Sequence, residues 1–394
     1  MKKRSIILGV VISALALQGL VGCDGDGVNT LKIDDMLVYA NGEPVAIETK
    51  FGNKKEAITY EYDDYALSIE DGKIVCYKEG TYTVTATSAS CNATFTVECK
   101  NAANIDDLYA WIGYPASDIS PLINIPGETE ITYSCDSDIL SIEGGYVTAL
   151  KEGTAEVTAT VAGYETYFKV TCEPVDKMGA LYYMWGDGWN WKGKATANAA
   201  KYKAEGTDGK STLFLGDSFF DPDFFSSFHS FYGDYDAFCM GIGGTTSHQW
   251  EMFFDGEGTY ASGKYGQFDG IQPKNIVFQL GNNNIYNDSS SAKDATIDLQ
   301  RFFTFAHGKM PDTQFYYFGV TPRIGVMQAI TEITLEVNAN MDKFCANKDW
   351  ITFMDTNDKM TADHIKDNIH PKPEAYSIFV DALKGVGMKL EYRI

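Results

Sequence analysis

A serine, a histidine, an aspartate and two clusters of amide donors lie in the second half of this sequence, at positions where they could act together. Gly216-Asp217-Ser218 combines a glycine that permits a sharp turn with a hydroxyl that a strand-to-helix turn would lift over a sheet edge. The same tripeptide is also an ordinary turn and cap sequence, so alone it decides nothing. In Gly241-Ile242-Gly243-Gly244-Thr245-Thr246 the glycines allow backbone N–H groups to converge on an oxygen, and the lysine that a phosphate loop needs is absent. Gly281-Asn282-Asn283-Asn284 supplies side-chain amides as donors. In Asp367-Asn368-Ile369-His370-Pro371 a carboxylate three residues before an imidazole can hold one ring nitrogen and leave the other facing a hydroxyl.

These groups need a frame. Thr212–Leu215, Ala237–Met240, Asn275–Leu280, Gln314–Gly319 and Trp350–Met354 are nearly continuous in apolar or aromatic residues, as strands buried on both faces must be. Between the fourth and fifth, Val326, Ile330, Ile333, Val337, Met341 and Phe344 recur at helical steps. Strands alternating with helices predict a parallel, doubly wound sheet whose reactive groups sit just past the carboxyl ends of the strands. Each of the first three blocks stands at such a place.

In order and position, GDS, GIGGTT, GNN and DNIHP resemble the four blocks of the SGNH hydrolases, also called GDSL esterases, over roughly residues 208–390. The resemblance implies a flavodoxin-like, three-layer α/β domain with a five-stranded parallel sheet, spanning 178–394, and a carboxylic ester hydrolase that needs no metal or cofactor. It implies Ser218 as nucleophile, His370 as general base and then acid, and Asp367 as the group orienting His370. The backbone amides of Ser218 and Gly244 and the side chain of Asn283 would form the oxyanion hole. The chemistry is consistent with this, since a serine hydroxyl attacks poorly until an aligned imidazole removes its proton. The sequence departs from the family pattern at Phe219 for leucine, Cys239 for asparagine and Asn284 for aspartate; the last change bears on how Asn283 is held.

Residues 58–100 align without a gap to residues 131–173 at an offset of 73, with 21 identities in 43 positions. Period-two runs such as Thr81–Thr87 and Ala155–Thr160 follow a Lys-Glu-Gly turn in each copy. LSIE, a short strand and KEGTxxVTAT resemble bacterial immunoglobulin-like group 2 domains. Two all-β sandwiches are therefore expected, at 30–100 and 104–174, serving as spacers or as binding modules.

Residues 1–22 carry a basic head, Lys2-Lys3-Arg4, and an apolar stretch from Ile6 to Leu17, and they end in Leu20-Val21-Gly22 before Cys23. This resembles a bacterial lipoprotein signal, which implies an exported protein acylated at Cys23, tethered through 23–29 to the outer membrane or cell surface. Eight cysteines leave seven once Cys23 is acylated, so at least one is unpaired; Cys239 and Cys345 are expected as small buried hydrophobes. A formal net charge of −22 repels nucleic acid and anionic bilayers, which confines membrane contact to the lipid anchor.

The expected function is hydrolysis of short acyl esters, acetyl above all, on carbohydrate, with an acetylated glycan as substrate. Esters of lipids or small aryl alcohols are the alternative, and a noncatalytic glycan-binding protein or adhesin is the rival from another class. Tyr182 to Trp191, which includes Trp185 and Trp189, is unusually aromatic and suits either core packing or stacking on sugars. His248 suits the pocket or a structural bond, and surface or cap roles are expected for His229, His307 and His364. Thr321-Pro322-Arg323 would reach a bound substrate or cap the next helix.

Overall fold

A sheet covered on both faces needs strands that are mainly apolar on both, and the strands of the C-terminal half are apolar at their centres. Leu213 and Leu215 enter one core with Ile276, Phe278, Phe315 and Tyr317. Phe214 points the other way, into a second core with Val277, Phe318 and Met354. Burial of each such side chain contributes roughly 1.5–3 kcal/mol.

In the computed structural model, residues 29–174, 190–205, 209–256, 266–285, 291–321, 323 and 328–393 are described. Cys23, residues 1–22, Tyr182 to Trp189 of the aromatic run, Pro322 and Val326 lie outside them. The chain divides into two compact units. One comprises Met1–Leu108, Pro121–Ser137 and Ala155–Val170, the other Tyr109–Ser120, Asp138–Thr154 and Thr171–Ile394.

In the second unit five parallel strands run in the order Ala237–Cys239, Thr212–Gly216, Asn275–Gln279, Gln314–Phe318, Ile351–Met354. Each lies within a residue or so of the stretch expected from the sequence. Helices Trp191–Glu205, Ser247–Phe254, Ala292–Lys309 and Gln328–Ala346 contribute to the first core, and Phe228–Tyr232 and Tyr376–Gly385 to the second. The result is a three-layer α/β arrangement. The strand numbered first in sequence lies between the second and the third, so the connections leave it in opposite directions and open a crevice at the carboxyl ends of these strands.

The first unit is rich in β-structure. Met36–Tyr39, Asn92–Lys100, Gly80–Thr87 and Thr59–Glu61 form a four-stranded sheet in that order, and Val45–Ala46, Lys73–Cys76 and Leu67–Glu70 a three-stranded one. Val84, Ala86, Phe95, Val97 and Ile74 form their common core. The internal repeat is kept in the strand registers: Thr59 opposes Thr87 as Thr132 opposes Thr160, and Leu67 opposes Cys76 as Leu140 opposes Ala149. Asp71-Gly72 and Gly144-Gly145 make the corresponding two-residue hairpins, all four residues with positive φ as a type I′ turn requires.

Cys76 and Cys99 form a disulfide in the first copy. At the equivalent places of the second copy stand Ala149 and Cys172, so that bridge has no counterpart there. Among the described residues no helix is long and apolar enough to cross a membrane.

Candidate active site

Gly216 ends the first strand at φ 124°, where a Cβ would stand 1.9 Å from the Gln279 carbonyl oxygen. Only glycine fits there, and the turn it allows carries Ser218 over the end of the sheet. The Ser218 hydroxyl lies 2.8 Å from His370 Nε2. On the other side of the ring, His370 Nδ1 is 2.9 Å from Asp367 Oδ2 and 3.0 Å from Oδ1. A carboxylate only accepts, so Nδ1 carries the proton and Nε2 is left to accept from the hydroxyl.

Asp367 also receives the backbone N–H of His370 at 2.8 Å, across a turn in which Asn368 takes φ 70°. Burial acts to raise the Asp367 carboxyl, but the His370 N–H, the His370 ring and the Ile369 N–H outweigh it and hold the group below the usual carboxylate range. It therefore stays ionised beside the imidazole. Phe224 stacks on the His370 ring, with centroids 4.6 Å apart and planes at 18°.

After the second strand, Gly241 and Gly243 approach their neighbours closely. A Cβ on Gly243 would stand 3.6 Å from Ser218 Cβ and 3.7 Å from Phe224 Cε2. The Gly243 N–H donates to Asp221 Oδ2 at 2.8 Å and its carbonyl accepts from Trp191 Nε1 at 2.9 Å. Gly244 follows with φ 79°. Among the described residues no backbone carbonyl is hydrogen-bonded to the N–H of Ser218 or of Gly244.

Asn283 Nδ2 donates to the Thr245 carbonyl at 3.0 Å and lies 3.5 Å from Asp217 Oδ2. One amide hydrogen thus fixes the side chain, and the second meets only a long contact. Asn284 accepts the Ser247 N–H at 3.1 Å and donates to Ser247 Oγ at 2.7 Å, binding the start of helix Ser247–Phe254. The Asn284 amide thus uses both its acceptor and its donor on Ser247, and Asn283 is held independently of it. Asp217 is fully buried, which pushes its carboxyl up to about 7; the Phe219 N–H and the charge of Arg323 work in the opposite direction.

Ser218, Gly243, Gly244, Asn283 and His370 are each partly exposed, while Asp217, Phe219, Thr245 and Asn284 around them are buried. Each of these five residues is therefore reached by solvent. Among the described residues no three His, Cys, Asp or Glu side chains are grouped as a metal site needs.

The remaining sequence candidates lie elsewhere. His248 is buried 3.6 Å from Asp298, beside the buried pair Glu251 and Arg301, which stand 3.1 Å apart. His229 is exposed, His307 stacks on Trp350 at 4.2 Å, and His364 Nδ1 accepts the Thr361 N–H at a helix start. Cys345 is buried, but Cys239 is more than an apolar filler, since its thiol donates to the Phe220 carbonyl at 2.8 Å. Arg323 donates to the Asn282 carbonyl at 3.4 Å, and Thr321 is buried. Trp191 is packed in the core, 7% exposed, not presented for stacking on a ligand. Type and spacing mark neither Asp221 nor Phe224 as part of the site, and mark Trp191 only as one member of an aromatic run. Asp-Pro-Asp reads as a turn, and one tryptophan in an aromatic run carries no local mark of its partner.

Neither a described protein family nor a curated protein matches the sequence. Among solved structures the chain is similar to a GDSL-like lipase from Bacteroides thetaiotaomicron, at 18% identity and TM-score 0.36, covering 48% of this chain and 97% of that one. It is similar to the C-terminal catalytic domain of peptidoglycan O-acetyltransferase A from Streptococcus pneumoniae, at 14% identity and TM-score 0.34, covering 47% and 99%. A carbohydrate esterase family 3 protein from Talaromyces cellulolyticus matches at 14% identity and TM-score 0.34, covering 45% and 95%. Similarity at these values says nothing about activity.

Proposed function

We propose that this protein is a serine esterase of the SGNH type that removes short acyl groups, acetyl above all, from carbohydrate at the cell surface. The observation that carries the proposal is the Ser218–His370–Asp367 chain, 2.8 Å at one ring nitrogen and 2.9 Å at the other. Ser218 Oγ attacks the ester carbonyl as its proton passes to His370 Nε2, and Asp367 stabilises the imidazolium. The resulting oxyanion is received by the N–H groups of Ser218 and Gly244 and by Asn283 Nδ2. Collapse expels the alcohol, which takes the proton from His370 and leaves an acyl-serine. Water, deprotonated by His370, then attacks the acyl carbon, and carboxylate and free Ser218 are released.

Phe224, close to both His370 and Gly243, supports a short acyl group. Support for a surface carbohydrate comes from the lipoprotein-like signal ending at Cys23 and from the acidic chain, which disfavours an anionic bilayer as substrate. The repeated β modules would serve as immunoglobulin-like spacers between the anchored end and the esterase. Purified full chain should release acetate from p-nitrophenyl acetate and from acetylated polysaccharides, and Ser218→Ala should release none. Equal release by Ser218→Ala would refute the assignment.

A further inference from the structure

The oxyanion donor of Gly244 is only as good as its direction, and in a Gly-Gly turn that direction is not fixed by the backbone itself. Ile242 to Thr245 form a β-turn closed by Thr245 N–H to Ile242 O at 3.3 Å, with Gly244 at the third position and φ 79°. Positive φ at Gly244, with Gly243 outside the positive-φ region, defines a type II turn. Types I and II differ by a half-rotation of the central peptide, and with glycine at both central positions neither is sterically penalised.

The central peptide here joins the Gly243 carbonyl to the Gly244 N–H, which in a planar trans unit point in opposite directions. Trp191 Nε1 holds that carbonyl at 2.9 Å. The preceding peptide is held as well, since Gly243 N–H donates at 2.8 Å to Asp221, whose carboxylate is 2% exposed and faces Lys194 Nζ at 3.1 Å. Trp191 and Lys194 are three residues apart, on one face of the first turn of helix Trp191–Glu205.

We infer that this helix turn aims the oxyanion donor: Trp191 selects the type II turn that directs the Gly244 N–H into the crevice, and Lys194 supports the same loop through Asp221. Trp191 and Asp221 are positioning residues, touching neither substrate nor reacting atoms. The inference rests on the esterase reading given above.

The test is Trp191→Phe in the full chain, which keeps an aromatic ring and removes the indole N–H. With p-nitrophenyl acetate, kcat should fall about tenfold, the loss expected for one neutral hydrogen bond, with KM and the melting temperature little changed. Affinity for phenylboronic acid, whose serine adduct is tetrahedral and places an oxygen in the oxyanion site, should fall by the same factor. A merely structural tryptophan would not move boronate affinity while sparing KM. A kcat and boronate affinity within twofold of wild type, or a loss confined to KM, would overturn the inference. Should Trp191→Phe show no cooperative melting, Asp221→Ala, which removes the acceptor of the Gly243 N–H, carries the same measurements and the same two outcomes. A wild-type protein that neither turns over the ester nor binds the boronate would instead defeat the esterase reading, and this inference with it.

Discussion

Ser218 Oγ and His370 Nε2 are 2.8 Å apart although 152 residues separate them in the chain. The first follows the strand beside the switch point; the second follows the last strand and is fixed by its own turn through Asp367. Nothing local joins them, so the whole α/β domain is the device that brings hydroxyl and imidazole within proton-transfer reach.

Asn283 is oriented by its bond to Thr245 O at 3.0 Å, and its second N–H meets only the long, 3.5 Å contact to Asp217. Asn283→Ala should lower kcat by about two to three decades, the usual effect of removing one oxyanion donor, and leave KM nearly unchanged. Steady-state kinetics on a short chromogenic ester check this. Wild-type kcat in the variant would remove Asn283 from the site.

Phe224 stacks on the His370 ring and stands 3.7 Å from where a Cβ on Gly243 would lie. Phe224→Ala should raise the ratio of butyrate to acetate ester hydrolysis, measured as kcat/KM, by about tenfold, the order expected for one or two methylenes in an apolar pocket. An unchanged ratio would show that the acyl chain leaves by another side.

Asp217 offers a test by pH. A carboxyl whose folded pKa is raised from 3.8 to about 7 keeps its proton where the unfolded chain has released it. Its contribution to stability is therefore complete below about pH 4 and is lost as pH rises toward 7. Asp217→Asn lacks that loss, so from pH 4 to 7.5 its stability should improve relative to wild type by on the order of 4 kcal/mol. Urea unfolding at several pH values reads the difference, and a constant offset would contradict the assignment.

The Cys76–Cys99 disulfide closes a loop of sequence separation 23 in the first β module. Replacing both cysteines by alanine should destabilise that module by about 3 kcal/mol through the released chain entropy. Ester turnover should be unaffected, because Ser218, His370 and Asp367 lie in the other unit. Calorimetry and a rate measurement on the same sample separate the two effects, and a parallel loss of activity would count against the modules as simple spacers.

Much of this architecture is legible in the sequence because it depends on short-range rules. Continuous apolar runs mark strands covered on both faces, Gly216 marks a turn that excludes a Cβ, and Asp367 and His370 lie within one turn of each other. The repeat is legible for the same reason: identical alternation produces identical register, Leu67 with Cys76 and Leu140 with Ala149. What was not legible depends on pairs distant in sequence. Trp191 meets Gly243 across 52 residues and Asp221 meets Gly243 across 22, and neither aspartate nor tryptophan announces its acceptor or donor locally. In sequence Asn284 reads as a change of local charge that bears on how Asn283 is held, whereas its amide bonds to Ser247 and Asn283 bonds to Thr245.

The most direct measurement of the central claim is covalent capture of the serine. Incubation of the full chain with a fluorophosphonate should add a single phosphonyl group, located by peptide mapping on Ser218, with ester hydrolysis lost in step with labelling and the labelling rate reduced by orders of magnitude in His370→Ala. An unlabelled Ser218 in protein that still hydrolyses esters would contradict the account.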